Sequence, residues 1–395
     1  MQQYLSIGAL LILLSVLGSE CLHSPFPSRV SARSPSSRGW VWLIKGLAQS
    51  ESWRDEQDQD GSGVPDKLRD VVIEKIEEIG GGKVKEQVKE TTAGPGLNTR
   101  HFKYIATGGT FMAKIARDSD VDTFLAERAG LEAILETRCL RAPTPLAQGT
   151  LPLGGSFLLM EHVPFIPFGQ SIPEVLKHLA EGLARMHLRV PGPDAKGFGF
   201  ARDNFLGASP QDNTWKSDFG TFMVENRLLP QLERAYRKFS DEYGTNNEDA
   251  LALRSLGPEV LQRVKDVLAP VADAQPVLLH GDLWVGNYGA VPVESGLSRE
   301  AVVFDPACWY GVQEFDLALA MMFGGFGQPF FDTYHAIIPK TEGFDGRMRI
   351  YKLYHYLNHL NLYGAGFGDG GTVEEPRGYY ERCTGLMREI IADGR

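Results

Sequence analysis

Apolar residues fall into three regimes along this chain. From Leu5 to Leu17 they are almost continuous (LSIGALLILLSVL), too short to span a bilayer comfortably and close to the apolar core of a signal peptide. From Cys21 to Ser50 the pattern dissolves: Asp and Glu are absent, and Arg29, Arg33, Arg38 and Lys45 stand among many serines, as in a transit peptide. Residues 51–65 are polar and acidic and read as a linker. Periodic pattern begins only at Asp66.

Leu68, Val71, Val72, Ile76 and Ile79 form a helical stripe that stops at Gly80-Gly81-Gly82. Strands are predicted over Lys83–Thr92 and His101–Thr107, flanking the loop Ala93-Gly94-Pro95-Gly96-Leu97-Asn98, and over Thr110–Ile115 after Gly108-Gly109. A helix over Asp122–Leu140 carries its stripe at Phe124, Leu131, Ile134 and Leu135. Further apolar strands are Ser156–Val163, the run from Val277 into His280, and Ala301–Asp305. Helices follow at Leu317–Phe323 and Arg347–Tyr363; the latter is expected to bury Ile350, Leu353, Leu357 and Leu360 and to turn Tyr351, His355, Asn358 and His359 to the other side.

Two charges break these patterns. Lys114 lies in an otherwise apolar strand, where an unpaired ammonium is costly. Glu127 falls inside the helical stripe, between Phe124 and Leu131. They are each other's natural partners, either as a structural salt bridge or as the pair that protein-kinase-like folds use to hold a lysine against ATP phosphates. The loop at Gly94, Gly96 and Asn98 lets backbone N–H groups approach phosphates without an obstructing Cβ, although Pro95 removes one donor and a plain hairpin turn has the same pattern. Glu161, His162 and Val163, at the end of their strand, read either as an adenine-binding hinge or as the end of a core strand.

The densest chemistry is VLLHGDLWVGN, Val277–Asn287. Asn287 follows Asp282 by five residues, the spacing of a kinase catalytic loop. A carboxylate there deprotonates the attacking hydroxyl, and an amide oxygen on the same loop holds Mg²⁺. Asp305 ends an apolar strand 18 residues later, where a second metal ligand is needed.

With HGDLWVGN, the run FDPACWYGVQEFDLALAMMFGGF, YHAIIP, YKLYHYLNHLNLYG, LARMH (Leu183–His187) and GFGF…DN…W…F (Gly197–Phe222), the chain resembles the fructosamine/ketosamine-3-kinase family from about Asp66 to its C-terminus. That family belongs to the aminoglycoside-phosphotransferase branch of the protein-kinase-like fold. The resemblance implies an α+β, two-lobed fold, with a small antiparallel-sheet N-lobe (66–163) and a larger, mainly helical C-lobe (164–395). It also implies ATP and Mg²⁺ as cofactors, and phosphorylation of the 3-hydroxyl of ribulosamine or fructosamine adducts on protein lysines. The 3-phosphate then leaves by spontaneous elimination and the amine is restored. Partners would be ketoamine-modified proteins or free ketosamines. A kinase of the same fold acting on aminoglycosides, choline or sugars, and a catalytically dead binding module, are the rival readings.

Within this frame Asp282 is the expected base, Asn287 and Asp305 the metal ligands, and Lys114 with Glu127 the α/β-phosphate site. Trp284 offers an aromatic face to a sugar or packs as a core residue. Glu314 and Asp316 read as helix-capping or loop-bracing acids rather than substrate contacts. His355 and His359, spaced i, i+4, lack a third metal ligand and are assigned to a polar, aromatic wall of the substrate cleft.

Composition changes the picture in three places. A net charge of −10 over 395 residues argues against a nucleic-acid or anionic-membrane binder. The four cysteines lie far apart, so neither a disulfide framework nor a zinc site is expected. Residues 91–101 lack the cysteine that the family's phosphate loop often carries for redox-controlled dimerisation; Cys139 and Cys308 are expected to be shielded, and Cys383 to be the surface thiol. Finally, a signal-like segment (1–20) followed by a transit-like one (21–50) resembles a bipartite presequence for a complex plastid, with the secretory pathway or the mitochondrion as alternatives, and leaves no permanent anchor in the mature chain.

Overall fold

The computed structural model describes residues 66–92, 99–116, 121–152, 154–166, 172–292, 299–364 and 378–393. The presequence, the linker and the glycine loop with Gly94, Gly96 and Asn98 lie outside the described residues. Helix α1 (Asp66–Glu78) buries Val72 and Ile76 against the sheet and ends where Gly80 and Gly82 adopt positive φ. Ile79, expected in the stripe, is 40% exposed, because it falls past the last helical turn.

Five strands follow: β1 (Val84–Thr92), β2 (Thr99–Ala106), β3 (Gly109–Ala116), β4 (Pro145–Thr150) and β5 (Ser156–Glu161). They pair antiparallel in the order β1-β2-β3-β5-β4. Strand β4 has no counterpart among the predicted elements. It starts with proline and contains glycine, both poor strand formers, and its place at the sheet edge is where proline is tolerated. Alternation sorts the faces. Phe102, Tyr104, Ala113 and Ile115 pack with Val72 and Ile76 on the α1 side, so Lys114 between them points to the opposite face. There helix α2 (Val121–Thr137) buries Phe124, Leu131 and Ile134 in the main core.

The C-terminal part is mainly helical. Helix α3 (Ile172–His187) precedes a hairpin, β6 (Asn204–Leu206) with β7 (Ser209–Gln211). Helix α4 (Phe219–Phe222) runs through a π-helical turn, Met223–Leu228, into α5 (Leu229–Tyr243), and α6 (Glu248–Leu268) follows. Four short strands come next: β8 (Val277–Leu279), β9 (Tyr288–Pro292), β10 (Arg299–Val303) and β11 (Trp309–Gly311). They pair as β8 with β11 and β9 with β10. Helices α7 (Glu314–Met322), α8 (Gly327–Ile337), α9 (Phe344–Tyr363) and α10 (Gly378–Ala392) complete the chain. Among the described residues no helix is long and apolar enough to cross a membrane.

Two expectations fail here for one reason. Helix α9 is enclosed on both sides, so Tyr351, His355 and Asn358 are buried along with Ile350, Leu353, Leu357 and Leu360. Helix α10 likewise turns Cys383 into the core, fully buried, with Met387 and Ile390. Burial raises the Cys383 thiol pKa far above its usual range, and it is not the surface thiol. Of the three described cysteines only Cys139 is partly exposed.

Candidate active site

Two loops meet at the sheet's inner face. Strand β8, wholly buried, delivers His280 and Asp282; strand β10 delivers Asp305. The first loop hangs from a single buried carboxylate. Asp316 Oδ2 accepts from the His280 N–H at 2.8 Å and Oδ1 from the Gly281 N–H at 2.8 Å. Its Oδ2 also pairs with His187 Nε2 at 3.2 Å, and His187 Nδ1 lies 2.8 Å from the Tyr334 hydroxyl. Burial opposes the charge of Asp316, but the hydrogen bond and charge of His187, with the Gly281 N–H, hold its pKa below the ordinary range. Gly281 has φ +81°, and a Cβ there would sit 2.0 Å from the Ala307 carbonyl oxygen. Only glycine lets the two loops pass this closely.

His280 joins the loops through its ring. Nε2 lies 3.1 Å from the Phe304 carbonyl, and Nδ1 accepts from the Asp282 N–H at 3.3 Å. Those partners fix a neutral ring with its proton on Nε2, and burial lowers the pKa accordingly. Asn287 Nδ2 donates to the Asp282 carbonyl at 2.8 Å and to its Oδ2 at 2.9 Å. The carboxylate is thereby aimed from within its own loop.

Lys114 crosses from the sheet to both acids. Its ammonium donates to Glu127 Oε1 on α2 at 2.5 Å and to Asp305 Oδ1. Burial works against this charge, but Asp305 and Glu127 more than offset it and hold the ammonium above the usual lysine range. Burial likewise opposes the charge of Asp305, while Lys114 keeps its carboxyl below the usual range. Asp305 has φ 54°, a left-handed conformation that is uncommon outside glycine and tends to mark functional sites. Burial pushes the Asp282 carboxyl up to about 7; the Asn287 hydrogen bond pulls it down, and the charges of Asp305 and Asp316 push it further up. A carboxyl with that affinity for protons is suited to accept one near neutral pH.

Beside Asp282 the loop exposes Trp284 (38%), which meets Phe323 edge-on. Phe323 packs on His359, and His359 on Tyr363, whose phenol feels the Asp282 charge. Trp284 and His359 thus belong to one half-open aromatic wall, to which the structure adds Phe323 and Tyr363. His355 does not belong to it. It is 1% exposed, packed at an angle on Phe315 and edge-on to Tyr354 with neither ring nitrogen hydrogen-bonded, and burial drives its pKa down to about 3.

The expected hinge is partly spent on structure. The Glu161 side chain binds Arg141 at 2.8 Å and the Thr144 hydroxyl at 3.1 Å, and its N–H reaches the Thr144 carbonyl. The His162 N–H points to the Thr110 carbonyl, and the Val163 side chain packs with Val291 and Val302. Glu161 therefore offers no side chain to a nucleotide, because Arg141 and Thr144 claim both its oxygens.

Reading by residue type finds the bracing acids but misses Asn204, Gln211 and Tyr354. Glu314, as expected, is a bracing acid, held by Arg347. Asn204 Nδ2 donates to the Cys308 carbonyl at 2.7 Å, Gln211 to Asn204 Oδ1, and Tyr354 to Gln211 Oε1. This buried ladder ties the β6–β7 hairpin to the loop after Asp305.

The family model described as fructosamine kinase matches residues 69–372. The chain belongs to the fructosamine kinase family. Two relatives frame it. The protein-ribulosamine 3-kinase, chloroplastic, of Arabidopsis thaliana is 39% identical over 286 residues, 72% of this chain and 81% of that protein. The ketosamine-3-kinase of Mus musculus is 32% identical over 293 residues, 70% of this chain and 90% of that protein. In structure, the aminoglycoside phosphotransferase APH(4)-Ia superposes with a TM-score of 0.53 at 14% identity, over 84% of this chain and 99% of that one. The chain therefore has the two-lobed, protein-kinase-like α+β fold expected from its sequence.

Proposed function

We propose that the protein is an ATP-dependent ketosamine 3-kinase acting on ribulosamine or fructosamine adducts of protein lysines. Asp282 takes the proton of the 3-hydroxyl as that oxygen forms its bond to the γ-phosphorus and the bond from that phosphorus to the leaving oxygen of ADP breaks. Asn287 keeps Asp282 pointed at the acceptor. Lys114, held by Glu127, binds the α/β-phosphates, and the backbone N–H groups of Gly94, Gly96 and Asn98 are further phosphate donors. The base is read from the backbone at Glu161–Val163. Asn287 and Asp305 would hold Mg²⁺ through one amide oxygen and one carboxylate, both hard donors, on loops that meet where Asn287 Nδ2 lies 3.5 Å from the Asp305 carbonyl. Bound there, the ion would neutralise phosphate charge. Trp284, with Phe323, His359 and Tyr363, forms the surface on which the apolar face of the sugar rests.

The observation that carries this reading is the convergence of Lys114 from the sheet and Asp305 from the helical part beside the Asp282–Asn287 pair. The names of the Arabidopsis and mouse relatives support the acceptor class. ADP release should depend on added ribulosamine or fructosamine, free or on protein, and should stay at background with aminoglycosides, choline and free sugars. Turnover of one of those three in place of ketosamines would replace the acceptor; release with none of them would favour the binding-module reading.

We further propose that residues 1–50 are a bipartite presequence and 51–65 a linker, ahead of lobes spanning 66–163 and 164–395, and that the mature enzyme works in a plastid. The plant relative's name, which includes "chloroplastic", supports this destination. Residues 1–25 fused to a fluorescent reporter should enter the secretory pathway, and residues 1–60 should reach the plastid of an alga with complex plastids. A cytosolic reporter in both cases would refute the presequence.

A further inference from the structure

Strand β2 enters the cleft directly after the glycine loop, and His101 is its third residue. His101 stands opposite Lys114 in the β2–β3 register. Residues directly opposite in an antiparallel pair share a face. Lys114 reaches Glu127 and Asp305 on that face, whereas Phe102 and Tyr104, on the other face, are buried against α1. The imidazole therefore lies on the cleft side, beside the ammonium. The electrostatics agree: the charges of both Lys114 and Asp305 act on the ring, and the ring acts in turn on Asp305. The ring thus stands beside the lysine and within the field of Asp305, the two groups that the kinase reading assigns to phosphate and metal.

We propose that His101 is a phosphate-binding residue of the nucleotide site, donating a ring N–H to the β- or γ-phosphate alongside Lys114. This rests on the kinase reading of the site. Imidazole carries at least one N–H in every protonation state found in proteins, so the donor does not depend on charging the ring. A hydrogen bond to an ionised phosphate is of the stronger kind.

The test measures nucleotide binding by the full chain without acceptor, using ATP, ADP, AMP and adenosine in the presence of magnesium. His101→Ala should weaken ATP by ~10-fold or more and leave adenosine and AMP within twofold, the loss expected for a hydrogen bond to a charged group. His101→Gln, which keeps an N–H donor, should recover part of the ATP affinity. Equal losses for AMP and ATP would assign His101 to packing and overturn the proposal, as would unchanged ATP binding in His101→Ala. Because no ketosamine is present, failure of the acceptor assignment would appear separately, as normal ATP binding without ketosamine turnover.

Discussion

Replacing Asp282 by asparagine should lower turnover by ~10²–10⁴ while ATP affinity stays within a few-fold of the parent. The substitution keeps size and polarity, so the loop held by Asp316 and His280 has no reason to move. What disappears is the proton acceptor. Its surroundings fit the carboxyl for that role, since burial raises its pKa to about 7 and Asn287 fixes one of its oxygens at 2.9 Å. Steady-state kinetics with a ketosamine, paired with ATP binding, separates the two quantities. Turnover within about threefold of the parent would remove Asp282 from the role of base, since losing a general base costs far more.

Replacing Arg347 by methionine should destabilise the protein by ~3–5 kcal/mol, the cost of stranding a buried charge. Arg347 is 1% exposed and Glu314 is 4% exposed. Two parallel hydrogen bonds of 2.7 Å join them, from Nε to Oε2 and from Nη2 to Oε1. The guanidinium also donates to the Glu342 carbonyl and the Thr341 hydroxyl, so one side chain ties α7, the α8–α9 loop and α9 together. With methionine in its place, Glu314 keeps only the longer contacts from Thr341 and Tyr351. Adding Glu314→Gln should recover a substantial part of the loss. Urea denaturation of the three variants reads both effects, and a single-variant loss below about 1 kcal/mol would show that the pair is dispensable, as surface pairs are.

These two expectations differ in how visible their residues are in the sequence. Asp282 and Asn287 announce themselves by spacing, since both lie on one loop and five residues suffice to relate them. Lys114 and Glu127 announce themselves as charges in apolar patterns, and a buried charge demands a partner. Glu314 is legible as a bracing acid, but its partner Arg347 is not, because nothing local links positions 33 residues apart. Asp316 reads in the same general way, yet its grip on the His280 and Gly281 amides depends on how α7 docks beneath β8.

The chain's own pattern determined the helix-flanked sheet, the lysine–glutamate pair and the two acid-bearing loops, because each is set by spacing within a short segment or by the cost of burying a charge. Tertiary structure decided the rest. Helix α9 has an amphipathic pattern, but neighbours on both sides enclose His355 and leave His359 and Tyr363 at the aromatic wall. Cys383 looks free in sequence until α10 turns it inward, and the partner of the Glu161 carboxylate, Arg141, is set only by how the chain folds. A side chain's burial depends on what packs over it, and those packing elements lie far away in sequence. Periodicity shows which residues share a face, whereas only the assembled core decides whether that face meets solvent, substrate or another helix.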